Sequence, residues 1–421
     1  MEEKYIKRAE ELINFLNDCP THFHFVDKAK KMLAENGFVE LDEKKRFSLE
    51  RGKSYYVTRN SSALIAFRVP ESFERIHIVS AHTDSPCFRI KGKPEIKNGE
   101  MPNRLNVETY GGLLLSPWFD RPLSIAGRVF VKGENGPVEK LVKLDTTVMI
   151  PNLAIHQNRE ANTGWKISVQ KEMLPIYSEG ALSLIDEVSS KLGVSNDDIL
   201  DMDLYLTNNV DGRIWSKDSA YFSASRIDDL ECAYASVVAI LENSYSDNQI
   251  SMIALFDNEE TGSGTKQGAL SDFLGNTIAR IASSLSLDEE EKIMLISSSR
   301  MVSADNAHAV HPAWAEKADV TNKVFMNKGV VIKYAANQKY TTDGESGAFI
   351  KDLMDRNGIP HQDFYNNSDV NGGSTLGNLS SQKVSIRTCD VGMAQLAMHS
   401  PYETAGVKDV KIAIDFFKAF L

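Results

Sequence analysis

The amino-acid sequence predicts an α/β fold: a mainly parallel sheet flanked by helices and interrupted by a smaller β-rich segment. Three observations predict it. Short apolar runs that suit buried strands alternate with amphipathic helical stretches toward both ends of the chain, the pattern of a sheet covered on both faces. Between about residues 92 and 221 that alternation gives way to Gly, Pro and Asn punctuating short β-like pieces. Finally, 421 residues of which 42% are hydrophobic can supply the core of one large or two ordinary domains.

In chain order, Tyr5, Ala9, Leu12 and Leu16, with Ile6 and Ile13 beside them, mark one helical face over residues 2 to 18. A second helix follows Thr21 and closes at Asn36-Gly37, residues that tolerate the left-handed conformation of a helix end. Ser54 to Thr58, Ser62 to Val69 and Arg75 to His82 read as strands, the last running through Ile76, Ile78 and Val79 into a polar cluster. Within the β-rich segment, Leu123 to Lys132 and Trp165 to Gln170 read as strands and Leu182 to Leu192 as a helix. Beyond it the expectation is helix at Ile227 to Glu242, strands at Ile250 to Phe256 and Lys292 to Ile296, and helix at Ser346 to Asn357 ended by Gly358. A strand at Val384 to Thr388 and a helix at Val407 to Phe420 complete the series.

Charge and composition exclude some roles. The 47 Lys plus Arg against 58 Asp plus Glu leave a net charge of −11, which repels a polyanion, so no nucleic-acid partner is expected. No stretch approaches 18 consecutive apolar residues, and the mixed charges of Met1 to Arg8 do not resemble a secretory signal; the expectation is a cytoplasmic protein with no membrane partner. Cys19, Cys87, Cys232 and Cys389 lie far apart without Cys-x-x-Cys spacing and read as reduced, mostly buried thiols.

Five polar clusters fall where apolar strands or helices begin or end, and open α/β sheets build their sites at such edges. They are His82-Thr83-Asp84-Ser85-Pro86, Ser225-Arg226-Ile227-Asp228-Asp229, Asp257-Asn258-Glu259-Glu260, the stretch Ser303-Ala304-Asp305 to His308, and Met398-His399-Ser400. Singly, each has an ordinary reading: acids at a helix start are common caps, and an isolated His is usually a satisfied polar residue. Adjacent carboxylates after a buried strand are different, because like charges in a dry site need a cation or protons. Together, His82, Asp228, Glu260, Asp305 and His399 make two imidazoles and three carboxylates, a set that suits two divalent ions sharing one carboxylate. Glu259 is left over beside a ligand, where a hydrolase needs a general base.

These five segments, in this order over essentially the whole chain, resemble the aspartyl aminopeptidase and aminopeptidase I family of dinuclear zinc metallopeptidases. The resemblance implies a zinc-peptidase-type catalytic domain at 1–91 and 222–421 with an inserted β-rich dimerisation domain at 92–221. It implies two Zn2+ per subunit, Co2+ or Mn2+ being acceptable to the same ligands. His82 and Asp305 would hold one ion, Glu260 and His399 the other, with Asp228 bridging. Glu259 would be the catalytic base and Asp84 the partner of His82. His156, in Ile150-Pro151-Asn152-Leu153-Ala154-Ile155-His156, would reach a neighbouring subunit's site, and His308, Lys333 and Tyr340 fall on substrate-contacting positions. Read alone, His156 is a surface turn residue and Lys333 and Tyr340 lie in a solvated edge. The glycine-rich stretch Gly372 to Gly377 also matches, but Asn378-Leu379-Ser380-Ser381 departs from the usual continuation.

The implied activity is release of the N-terminal residue from peptides, with an acidic first residue preferred. The implied assembly is a homododecamer built from dimers. The alternatives are a neutral preference, a dinuclear-metal deacylase of small N-acyl compounds, or a non-catalytic assembly or cargo protein on the same scaffold.

Overall fold

A computed structural model describes residues 1–180, 182–244, 248–370 and 372–421. Its centre is a nine-stranded sheet in the order Val39–Leu41, Lys53–Arg59, Ala63–Val69, Gln249–Phe256, Arg75–His82, Arg300–Ala304, Arg387–Gly392, Val330–Tyr334 and His361–Tyr365. The four strands from Gln249–Phe256 to Arg387–Gly392 are parallel to one another. Antiparallel pairs flank them, at Ala63–Val69 on one side and Val330–Tyr334 on the other. The expected mainly parallel sheet is therefore present.

These central strands are apolar on both faces because helices cover both. On one side Glu3–Asp18, His22–Glu35, Ile227–Glu242, Gly344–Arg356 and Val407–Phe420 bring Leu12, Phe25, Leu230, Ile350 and Phe417 against Val79, Ile253 and Val302. On the other, Phe273–Ser284 sets Phe273, Ile278 and Ile281 against Ile76, Ile78, Met252 and Met301. Each such side chain, buried fully, contributes roughly 1.5–3 kcal/mol. The helix ends follow the sequence: after His22–Glu35 the Phe38 N–H reaches Leu33 O at 3.1 Å across Gly37, whose φ of 81° is left-handed.

A second sheet has six strands, in the order Gly136–Lys143, Leu123–Gly133, Ile199–Asn208, Cys87–Asn98, Met101–Tyr110 and Ile176–Ser178, all antiparallel. It has its own apolar core, with Phe88, Leu105, Trp118, Ile125 and Leu206 buried. This sheet begins at Cys87, five residues before the expected change at 92. A third sheet has five short strands, in the order Arg213–Trp215, Tyr221–Ala224, Glu403–Gly406, Ala394–Leu396 and Ala307–His308. Among the described residues no helix is long and apolar enough to cross a membrane. Cys19, Cys232 and Cys389 are buried free thiols and Cys87 is half-buried.

Three expected elements are corrected. Lys292 to Ile296 is not a strand but part of the helix Glu289–Ser298, started by a capping box in which Asp288 accepts the Glu291 N–H and the Glu291 side chain accepts the Asp288 N–H. Only Leu295 of that helix is buried, and the apolar Ile293 and Met294 face outward. Trp165 to Gln170 forms no strand; the Trp165 ring instead packs on Phe119 at 5.4 Å, and Val169 opens a short helical turn. The strand expected at Val384 begins at Arg387, because Val384 closes a turn on Ser380 O while packing its side chain inward.

Candidate active site

The four parallel strands end along one edge, and the polar clusters collect there. Arg75–His82 and Gln249–Phe256 lie in register with His82 opposite Phe256, so His82 to Asp84 emerge beside Asp257 to Glu260. Arg300–Ala304, on the other side of Arg75–His82, delivers Asp305. Asp228 enters at the start of Ile227–Glu242, where the Asp228–Asp229 peptide is cis, and His399 comes from the turn after Ala394–Leu396.

His82, Asp228 and Glu260 each offer a ligand atom, and these atoms lie within 4.8 Å of one another. Asp228 sits between two imidazoles: its Oδ1 is 3.5 Å from His82 Nε2 and its Oδ2 is 3.4 Å from His399 Nε2. His399 Nε2 is also 3.4 Å from Glu260 Oε2. Backbone carbonyls orient both rings, Asp84 O at 3.0 Å from His82 Nδ1 and Gly112 O at 2.6 Å from His399 Nδ1. With each Nδ1–H donating to its carbonyl, Nε2 of each ring faces the cluster. Asp228 Oδ1 and Glu260 Oε1 are buried without a hydrogen-bond partner.

The electrostatics point the same way. Burial, with Asp228 adding to it, pushes the Glu260 carboxyl well above its ordinary range, and burial raises Asp305 against the pull of Lys333. Burial carries Glu259 up to about 8, opposed by His82 and reinforced by Asp305. Burial works against charge on His399, yet Asp228 and Glu260 carry it up to about 10. Asp228 falls below the usual carboxylate range: burial would raise it, and the two imidazoles bring it down. This much negative potential with two unbonded carboxylate oxygens and two inward nitrogens fits divalent zinc.

Asp84 does more than the sequence reading assigned to it. Its backbone oxygen, rather than its carboxylate, lies closer to the His82 ring, the carboxylate Oδ1 being 3.4 Å from Nδ1. That carboxylate accepts the Glu259 N–H at 3.1 Å and the Glu260 N–H at 3.2 Å, fixing the turn that carries both acids. Arg226, Asn258 and His399 are all in the left-handed region, at φ of 61°, 61° and 66°, so three of the five clusters hold non-glycine residues in a costly backbone conformation.

The other candidates are placed as follows. Lys333 is buried, with Nζ 3.1 Å from Asn306 O and 3.5 Å from Asp305 Oδ1. Tyr340 lies in an apolar cluster with Val331 and Phe364, its ring 5.3 Å from Lys333 Nζ. His308 stands at the wall of a cavity of about 360 Å³ shared with His311, Trp314, Phe364, Gln395 and Met398. His156 is exposed in the stretch 151–168, which contains no strand or helix, and it is not brought to this chain's own cluster. Gly377 packs against Ser303, whose Oγ accepts its N–H at 2.9 Å.

Sequence reasoning missed Glu403, a buried acid whose oxygens accept the Asp228 N–H at 3.0 Å and the His399 N–H at 2.8 Å. Its place four residues after His399 was the available signal. It also missed Asp229, which accepts the His82 N–H at 3.2 Å, because beside Asp228 it reads as a second helix-start acid.

The family model described as aminopeptidase I zinc metalloprotease (M18) matches residues 15–421. A probable M18 family aminopeptidase 2 of Clostridium novyi is 43% identical over 429 residues, covering 99% of this chain and 98% of that one. A probable aspartyl aminopeptidase of Ricinus communis is 35% identical over 463 residues, with 97% and 94% covered. Among solved structures, the S. cerevisiae mApe1 dodecamer superposes with a TM-score of 0.87 at 26% identity, covering 99% of this chain and 97% of that one. The chain belongs to the M18 family of aminopeptidase I zinc metalloproteases.

Proposed function

We propose that this M18 aminopeptidase removes acidic N-terminal residues from peptides, using two zinc ions held by His82, Asp228, Glu260, Asp305 and His399. The observation that carries the reading is Asp228, one oxygen toward His82 and the other toward His399. His82 and Asp305 would hold one ion and Glu260 and His399 the other, with Asp228 available to both. When bound, the ions supply Lewis acidity that polarises the scissile carbonyl and stabilises the charge it develops. Glu259 takes the proton of the attacking water and hands it to the leaving amine. Asp84 keeps Glu259 and Glu260 in place through their backbone N–H groups.

Residues 1–91 and 222–421 form the catalytic domain in this reading, and 92–221 the dimerisation domain. The exposed His156 stretch and the dodecameric state named for mApe1 support a homododecamer built from dimers, with His156 completing a neighbour's site. Four free thiols suit a cytoplasmic location. For substrate choice, Lys333, Tyr340, His308 and the neighbour's counterpart of His156 would surround the first residue, and the aspartyl aminopeptidase relative supports an acidic preference. A neutral preference is the second reading, favoured by one fact: Lys333 Nζ is already engaged by Asp305 and Asn306.

Metal content measured together with a panel of Asp-, Glu- and Leu-nitroanilides tests both. Two zinc ions per subunit and turnover led by Asp or Glu are expected. A panel led by Leu overturns the acidic preference, and equal activity on N-acylated substrates overturns the aminopeptidase reading in favour of a deacylase.

A further inference from the structure

One end of the six-stranded sheet lies directly on the candidate metal cluster. Met101–Tyr110 pairs with Cys87–Asn98, putting Tyr110 opposite Cys87, just past the His82-to-Pro86 segment. The Tyr110 hydroxyl donates to Asp84 Oδ2 at 2.7 Å and accepts from Asn258 Nδ2 at 2.7 Å. It thus ties the carboxylate that holds the Glu259 and Glu260 N–H groups to the side chain of the residue preceding them. Asn258 is itself fixed from the far side, its Oδ1 accepting from Thr265 Oγ1 at 2.8 Å and Gln267 Nε2 at 2.7 Å. The next two residues touch the cluster too. A Cβ on Gly111, whose φ is +74°, would meet Glu260 Cβ at 3.0 Å, and Gly112 O is the acceptor that orients His399.

We propose that Tyr110 is a positioning residue for the Glu259-Glu260 turn, acting through Asp84, and that Tyr110-Gly111-Gly112 is the joint through which the six-stranded sheet sets the metal site. This rests on the peptidase reading for its kinetic consequence but not for its metal-binding one. Partners of this kind, one bond removed from the ligands, typically alter metal affinity or activity by ~10–100-fold.

The test is a double-mutant cycle of Tyr110→Phe and Asp84→Asn in the zinc-loaded full chain, reading zinc release to a chelator, kcat and KM. Tyr110→Phe keeps the ring against Tyr205 and removes only the hydroxyl. It is expected to release zinc about tenfold faster and lower kcat about tenfold with KM nearly unchanged, and the double variant is expected to match Asp84→Asn alone. Unchanged zinc release in Tyr110→Phe overturns the proposal, as do losses that simply multiply in the double variant. Faster release with a wild type that cleaves no peptide sinks the peptidase reading and keeps the positioning role. A wild type that takes up no zinc sinks both. Gly111→Ala, which crowds Glu260 directly, should also speed zinc release, and an unchanged rate there overturns the joint.

Discussion

One strand from each sheet, Arg75–His82 of the nine-stranded and Met101–Tyr110 of the six-stranded, handles burial in the opposite way to the other. In Arg75–His82 every residue after Arg75 is buried, because helices lie on both faces. In Met101–Tyr110 the inward positions Asn103, Leu105 and Val107 alternate with more exposed neighbours, because only one face is covered. The difference decides where chemistry can be kept. A doubly covered strand that ends in His82, Thr83 and Asp84 delivers polar groups into a dry place, where they must be matched to one another or to a cation. The six-stranded sheet provides none of the five metal-ligand candidates, but the Tyr110 phenol at its end bonds Asp84, which holds the Glu259 and Glu260 N–H groups, and the Gly112 carbonyl just beyond bonds His399.

The sharpest break of this contrast is Glu259→Gln. If Glu259 is the base of the buried edge, kcat should fall by about 10³-fold, within the ~10²–10⁴ range of general-base removal, while zinc content stays at the wild-type value. Near-normal turnover would remove Glu259 from that role. A smaller effect, on stability, compares the sheets themselves. Ile78→Ala, in the fully covered strand, should cost about 3–4 kcal/mol in chemical denaturation, and Val107→Ala, with one carbon fewer to lose and a half-covered strand to relax, about 1–2 kcal/mol. Equal costs would mean that the two sheets are packed alike.

Unbroken apolar runs and periods were the part of the fold most legible in the sequence. Ile227–Glu242, Val407–Phe420 and Arg75–His82 could be read to the residue because their apolar period or run is unbroken, with a polar cluster at the start of the first and the end of the last. Lys292 to Ile296 misled because five residues with four apolar side chains look like a strand, while the deciding signal, Asp288 three residues before Glu291, lies outside that window. At the site, groups that could ligate a metal through their own side chains were visible in sequence. Glu403, Asp229 and Tyr110 were not: the two acids accept backbone N–H groups of ligand residues and Tyr110 bonds Asp84 and Asn258, and no local pattern records which distant group each will meet.

A further prediction concerns acid stability of the covered sheet. Burial, with Arg75 and Arg300 nearby, lowers the His77 imidazole to about 4 although its ring nitrogen lies 2.7 Å from Phe420 O. His77 also stacks on the Phe420 ring at 4.6 Å, so it pins the last helix to the sheet. A folded pKa below the unfolded value means that the unfolded chain binds the extra proton. Stability from this group is therefore fully present above about 6.5 and is lost as pH falls toward 4, by about 2–3 kcal/mol. His77→Gln should flatten the stability curve across that window relative to the wild type. Parallel curves would show that His77 titrates alike in both states.

The smallest effect is the one that would connect the two sheets across subunits. If His156 serves a neighbour's site rather than its own, His156→Ala should lower kcat/KM by about tenfold, the scale of losing one positioning contact. The more informative measurement is a mixture. A Glu259→Gln subunit keeps its His156, and a His156→Ala subunit keeps its Glu259, so a mixed dimer contains one complete site and one doubly deficient site. Dissociating and reassembling equal amounts of the two variants should then restore sites in half of each mixed dimer, about a quarter of all sites if pairing is random. Activity that stays at the mean of the two parents would place His156 outside the neighbour's chemistry. The dimer would then unite the sheets structurally while leaving each buried edge to work by itself.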